Sequence, residues 1–467
     1  MAGAPGEGSE SCTVPYMTLP PGPSAPLAFQ TARWTARPLV TLERCARRYG
    51  DAFTLRLAGL GNVVVLSHPD AVKEVFTGDA DVLHAGEANA ILEPVVGRHS
   101  VLLLDGPRHL RQRKLMLPPF HGARMQRYGE VMREVTDREM ERWPLGEPLR
   151  LRERTQAITL EIIMRAVFGI EDAGRLEELG GRLARMLDLT TRNFPLLAMP
   201  ALRAYVGPGS SWRAFQRASE EVDAILYEEI ARRRGEPDAG EREDVLSMLL
   251  AARDEQGASL SDVELRDELM TMLVAGHETT ATALAWAWER LLRRPAVLER
   301  LEREVARGED DAYLDAVVKE TLRLRPVIML VARRLTRPLT VAGLDLPTGT
   351  TVAPCIYLVH RRPEIYPDPA EFRPERFLER PADTYSWIPF GGGIRRCIGA
   401  AFAQYEMKVV LRAMVERARL RAPRGGFERP RRRTVTIAPA DDAVVVLDGL
   451  AAADGARAAA ARAPATV

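Results

Sequence analysis

A helical pattern from about Asp262 to Arg293 dominates the chain, opened by Ser261 and Glu264 in capping-box spacing and closed by Pro295. Its middle contradicts its own pattern. Ala275-Gly276-His277-Glu278-Thr279-Thr280 places a glycine, a charged residue and two β-branched hydroxyls inside an otherwise apolar segment. The glycine alone costs about 1 kcal/mol against alanine there. Misfit inside a strong element is where function is expected.

Elsewhere, long amphipathic stretches joined by short loops predict a bundle of helices, with few strand patterns among them. A helix from Pro38 to Tyr49 should end at Gly50. Phe53 to Leu57 and Val63 to Leu66, separated by Gly59 and Gly61, read as a hairpin, and a second strand-like zone begins at Arg333. No stretch of the 467 residues is long and polar enough to separate domains. The expectation is one large domain over residues 27–450, mainly α with small β-sheets. Residues 1–26, rich in Gly, Pro and Ser, should form a poorly ordered or extended lead-in, and the Ala-rich residues 451–467 a frayed tail.

Charge excludes some partners. With 65 basic and 64 acidic residues the balance favours neither nucleic acid nor an anionic membrane. Arg431, Arg432 and Arg433 are accordingly read as solvated loop. Cys12, Cys45, Cys355 and Cys397 are too few and scattered for a disulfide framework, and no paired C-x-x-C spacing suggests zinc. A reducing cytoplasm fits this usage. Residues 1–10 lack both a basic start and an apolar run, so neither a signal peptide nor a membrane anchor is expected.

The sharpest segment is Phe390-Gly391-Gly392-Gly393-Ile394-Arg395-Arg396-Cys397-Ile398-Gly399, a glycine-rich loop that delivers a cysteine to the start of a helix. Glycines permit conformations and close approaches that a side chain blocks. A helix N-terminus and unpaired amides favour the thiolate that a soft metal centre needs. A lone cysteine beside a turn is more often inert core. Here, however, the loop is similar to the cytochrome P-450 signature F-x-x-G-x-R-x-C-x-G at every fixed position. Glu320-Thr321-Leu322-Arg323 resembles that family's E-x-x-R pair, and Phe372-Arg373-Pro374-Glu375-Arg376-Phe377 its F-x-P-x-R-F segment. Glu320 and Arg323 lie one helical turn apart, and a bidentate contact from Arg376 would satisfy the carboxylate and tie the loop to the helix.

The resemblance implies the cytochrome P-450 fold of the soluble bacterial type, with haem b between the long helix and the cysteine loop. Cys397 is then the iron ligand, with Ala275, Phe390, Gly391 and Gly399 against the haem. Glu278 and Thr279 resemble the acid and alcohol that deliver protons during cleavage of dioxygen, and Gly276 would permit close approach and a local groove over the haem. Asp105-Gly106-Pro107 looks like a helix cap followed by an early proline, after which His109 and Arg113 share a face. Both are candidates for the haem propionates, together with Arg395 and Arg333. Arg334 has the opposite strand facing.

The substrate-facing segments of the resemblance are mostly apolar here. They include Ile91, Leu273, Ala275, Ile328, Met329 and Leu330, and Phe194 in the region of residues 186–202. They point to a lipophilic substrate, although core packing competes for each of them. No flavin-binding or iron–sulfur cysteine pattern is present, so electrons are expected from a separate ferredoxin or flavodoxin with its reductase. Arg111, Lys114, Arg396 and Lys408 are the expected docking cations. A peroxide-using haem-thiolate enzyme, an isomerase and a non-catalytic haem-binding protein stand as alternatives to a monooxygenase, against which Glu278 and Thr279 speak. A monomer is expected.

Overall fold

The computed structural model describes residues 19–120, 124–170, 172–193, 196–197, 203, 207, 209–237, 242–308, 310–423 and 425–452. Cys12, Phe194 and most of the lead-in and tail lie outside the described residues. The body is mainly helical with small sheets, as the periodicities predict. At its centre is one helix, Asp262–Leu291, with the full Ser261/Glu264 capping box at its start. Almost every residue from Leu265 to Leu273 and from Thr280 to Leu291 is buried, so this helix is wrapped on all sides rather than on one stripe.

The flanking helix Leu151–Phe168 packs along it and stitches itself there through two threonines. The Thr155 hydroxyl donates to the Ala281 carbonyl at 3.0 Å and that of Thr159 to the His277 carbonyl at 2.9 Å. Gly276 makes the close approach possible. A Cβ at this position would stand 3.0 Å from Cδ1 of Ile163 on the flanking helix. The close approach expected of Gly276 is made to this neighbouring helix.

The first hairpin forms as expected, Ala52–Leu57 against Gly61–Leu66, with Phe53 opposite Val65. It extends into a five-stranded sheet. Gly61–Leu66 pairs in parallel with Thr351–Pro354, which pairs antiparallel with Arg333–Leu335, and Leu83–His84 closes the edge. Proline and glycine residues of the lead-in dock on the hairpin in extended form. Thr54 donates from Oγ1 to the Pro20 carbonyl and from its amide to that of Pro21, at 2.7 and 3.1 Å. Gly22 is required there, since a Cβ would lie 1.9 Å from the Thr54 carbonyl oxygen. Of the two options for the lead-in, its part from Pro20 onward takes the extended one.

Arg431–Arg433 is not solvated loop. Pro430–Arg433 is a strand paired antiparallel with Thr436–Pro439. Arg431 stays exposed, while Arg432 and Arg433 are partly buried and reach acceptors, Arg432 donating to the Thr434 carbonyl at 2.7 Å and Arg433 to Asp442 at 2.8 Å. Nor is the tail frayed from its first residue: Ala451 exchanges two 2.9 Å hydrogen bonds with Arg417. Among the described residues no helix is long and apolar enough to cross a membrane.

Candidate active site

The cysteine loop is shaped by its glycines. Gly391 and Gly393 take φ of +68° and +64°, and the loop lies so close to Phe76 that a Cβ on Gly393 would be 2.0 Å from the Phe76 carbonyl oxygen. The turn is closed by the Cys397 amide donating to the Phe390 carbonyl at 3.0 Å. Gly399 then opens the helix Ala400–Arg417. Cys397 is free and exposed. Surrounding protein pushes its thiol up from the ordinary value, against the lowering effects of the Gly399 amide, Arg113 and Arg396. The Gly399 amide acts toward the thiolate in the expected direction, while the surrounding protein opposes it. A bound metal centre supplies the missing charge and deprotonates such a thiol outright.

Three cations and a histidine gather at one end. Arg395 donates to the Val101 carbonyl at 3.2 Å and also binds the Leu104 carbonyl and the Asp105 carboxylate. Arg333 is buried, and burial together with Arg395 lowers it to about 10; Arg395 is likewise lowered to about 10, first by burial. Arg334 turns to the other face, beside Gly61 and Gly349. His109 is buried with no partner for Nδ1, and burial, then Arg395 and Arg113, bring it to about 4. Asp105 is the acid in contact with Arg395, and it does not cap its own helix Gly106–Met116 as expected. Its carboxylate instead accepts from the amides of Gly86 and Glu87, at 2.9 and 3.1 Å. A cluster with more cations than anions and an orphaned imidazole nitrogen fits a dianionic group.

On the central helix, one turn breaks the run of buried residues. Ala275 is exposed and Val274, Gly276, Glu278 and Thr279 are partly exposed, between buried stretches on either side. Thr279 Oγ1 bonds back to the Ala275 carbonyl at 2.6 Å. Glu278 reaches the flanking helix, where it accepts from Arg152 at 3.3 and 3.4 Å and from Gln156. Burial raises this carboxyl, and Arg152 and Gln156 oppose the shift.

An exposed cysteine, an opened turn on a central helix and a cationic end deficient in anions together fit haem b. The family model described as cytochrome P-450 matches residues 19–444.

The chain belongs to the cytochrome P-450 family.

A Mycobacterium tuberculosis protein named cytochrome P-450 135B1 is 43% identical over 428 residues, covering 91% of this chain and 90% of the relative. Cytochrome P-450 137 of the same species is 39% identical over 432 residues, covering 90% and 89%. Among solved structures, retinoic acid bound cyanobacterial CYP120A1 has a TM-score of 0.81 at 25% identity, covering 93% of this chain and 100% of that one. Membership makes this cytochrome P-450 a haem b enzyme of the monooxygenase class.

Other expected residues fall less simply. Glu320 and Arg323 form a wholly buried pair, but the two-pronged contact to the carboxylate comes from Arg323, at 2.7 and 2.8 Å. Arg376 adds a single bond at 3.1 Å, correcting the expected bidentate contact. Arg323 is one turn away on the same helix and its fork is already aligned, which leaves Arg376 one oxygen to share. Arg323 also holds the carbonyls of His360, Pro369 and Glu371.

Of the apolar candidates, Ala275 is open, and Ile91, Ile328 and Leu330 are partly buried. Leu273 and Met329 are corrected to core positions: Leu273 is packed in the main cluster, and Met329 with Trp34 and Phe53 beneath the sheet. Phe390 is half-buried, edge-on to Trp387. Of the docking cations, Arg396 is exposed, but Arg111 is committed to Asp254 and Glu264, and Lys114 to Glu255. Lys408 lies 3.9 Å from Asp315. Sequence reasoning missed Arg152, Gln156 and Asp442, whose distance along the chain from Glu278 leaves no local signal.

Proposed function

We propose that this cytochrome P-450 inserts one oxygen atom into a lipophilic molecule, a terpenoid, steroid-like compound, fatty acid or polyketide, by hydroxylation or epoxidation. Its electrons come from a separate ferredoxin or flavodoxin with its reductase. Haem b, when bound, supplies the iron at which dioxygen is reduced and split. The Cys397 sulfur ligates that iron. Arg113, Arg333 and Arg395 neutralise the propionates, and His109 offers its unpartnered nitrogen to one of them. Glu278 holds a proton at its carboxyl, and the Thr279 hydroxyl orients the group or water that receives it. Ala275, Ile91, Ile328 and Leu330 favour an apolar guest and exclude water. The bound retinoic acid of the cyanobacterial neighbour is a lipophile of this kind.

The observation that carries this reading is the single opened turn at Ala275–Thr279 in a helix otherwise buried over both flanks. The decisive measurement is the ferrous carbon monoxide spectrum. A thiolate-type band is expected, lost in C397S while the fold is retained. A C397S protein that kept that band would overturn the assignment. Spin-state titrations should then respond to lipophiles; tight responses confined to small charged compounds would reject the substrate class.

A further inference from the structure

Glu278 does not stand alone in its ion pair. Arg152, which grips it, is itself held by Asp442 in the turn between strands Thr436–Pro439 and Val444–Leu450. Arg152 Nε donates to Asp442 Oδ1 at 2.6 Å while Nη1 faces both oxygens of Glu278. The backbone makes the same junction. The amides of Arg152 and Leu151 donate to the carbonyls of Asp442 and Ala443, at 3.0 and 3.3 Å, so the turn closes the N-terminus of the flanking helix. Asp442 and Ala443 both adopt left-handed conformations, φ +62° and +53°, and both are buried. Consecutive left-handed non-glycine residues persist only where surrounding contacts hold them.

We propose that Asp442 is a positioning residue for Glu278: it fixes the Arg152 guanidinium as a latch that sets where the carboxyl sits and when it releases its proton. This rests on the reading of Glu278 as the proton-delivering acid. Arg152 and Gln156 face Glu278 from the flanking helix, Arg433 and Asp442 from the strand and turn, and Thr282 and His277 from its own helix. His277 is held neutral by burial, lowered to about 4. The remaining charges are the carboxylates of Glu278 and Asp442 and the guanidiniums of Arg152 and Arg433, with Arg150, 3.7 Å from Asp442, as a third cation that carries the network to the surface.

Opposite substitutions must therefore act with opposite sign. Neutralising Asp442 leaves Arg152 to Glu278 alone, favours the carboxylate and lowers the pH at which it protonates. Removing the charge of Arg152 raises it. D442N tests this cleanly, because asparagine tolerates the left-handed region and keeps the shape. R433Q, nearer the surface, is the second variant if D442N folds poorly, and it should raise the midpoint.

The readout is infrared difference spectroscopy of pH steps on the ferric holoenzyme, with the Glu278 carboxyl band assigned by its loss in E278Q. Midpoint shifts on the order of one pH unit are expected, down in D442N and up in R152Q. The pH profile of turnover should move with them. Unchanged midpoints, or shifts of the same sign in D442N and R152Q, overturn the latch, even if melting temperature and haem content fall. If E278Q leaves turnover and its pH profile intact, the reading of Glu278 as the acid fails instead.

Discussion

Gly393 carries more of the cysteine loop than its place in a run of three glycines suggests. Its neighbour Gly391 has the same left-handed backbone, but an added Cβ there meets nothing nearer than Val331 at 3.8 Å. G391A should cost only the conformational penalty, about 1 kcal/mol. G393A drives a methyl group into the Phe76 backbone, which cannot move aside as a flexible side chain could. Melting temperature should fall little in G391A and far more in G393A, in which haem content per polypeptide should also collapse. A G393A protein with full haem would show that the loop is not pinned by Phe76. The motif made Cys397 and its glycines legible in the sequence because their spacing is local. Phe76, more than 300 residues earlier, was not legible, and neither were Arg152 and Asp442. A charge pair leaves no trace in periodicity until the chain brings its two ends together. The same limit explains the exchange of roles at Glu320, where pattern named the right three residues but not which arginine would take both oxygens.

At the level of the element, the central helix shows where periodic reasoning stops. The capping box, the length and the anomalous turn were readable, since each depends on residues within a few positions. Which side of the turn meets the haem space was not, because both sides of this helix are buried and the 3.6-residue period cannot distinguish them. Gly276 is expected to permit close approach and a groove over the haem, and the approach seen is to Ile163. The two placements predict different behaviour. Against Ile163, G276A over-packs a tight helix contact and should destabilise by about 1–3 kcal/mol. The double variant G276A/I163V, which removes the Cδ1 that the new methyl meets, should recover part of that loss. Denaturant midpoints of the two single variants and the double variant test the coupling. Additive losses, with altered ligand spectra in G276A alone, would return Gly276 to the haem side.

Across the whole molecule, buried ionisable groups set opposed limits on pH stability. Burial lowers His277 to about 4, below the value near 6.5 of an unfolded histidine. Its contribution is whole above pH 6.5 and is lost as pH falls toward 4. Glu406, buried on the helix that follows Cys397 and hydrogen-bonded to Thr280, runs the other way. Burial raises it to about 8. Its stabilising share is whole below pH 4.5 and is lost as pH climbs through 8, since the unfolded chain ionises freely and the folded one resists. E406Q removes that ionisation. The amide adds its own offset, because Oε1 of Glu406 has no partner and a buried amide there leaves a group unpaired too, but this offset does not vary with pH. The slope therefore carries the prediction. Relative to the unsubstituted holoenzyme, E406Q should gain stability steadily from pH 5 to pH 8, by roughly 3 kcal/mol at pH 7 relative to the difference at pH 4.5. Both proteins should still weaken together below pH 6.5, where His277 charges on unfolding. Urea unfolding at several pH values checks this. Parallel stability curves between pH 5 and pH 8 would mean that Glu406 ionises inside the fold at no cost, with a compensating cation or water at its unpartnered oxygen.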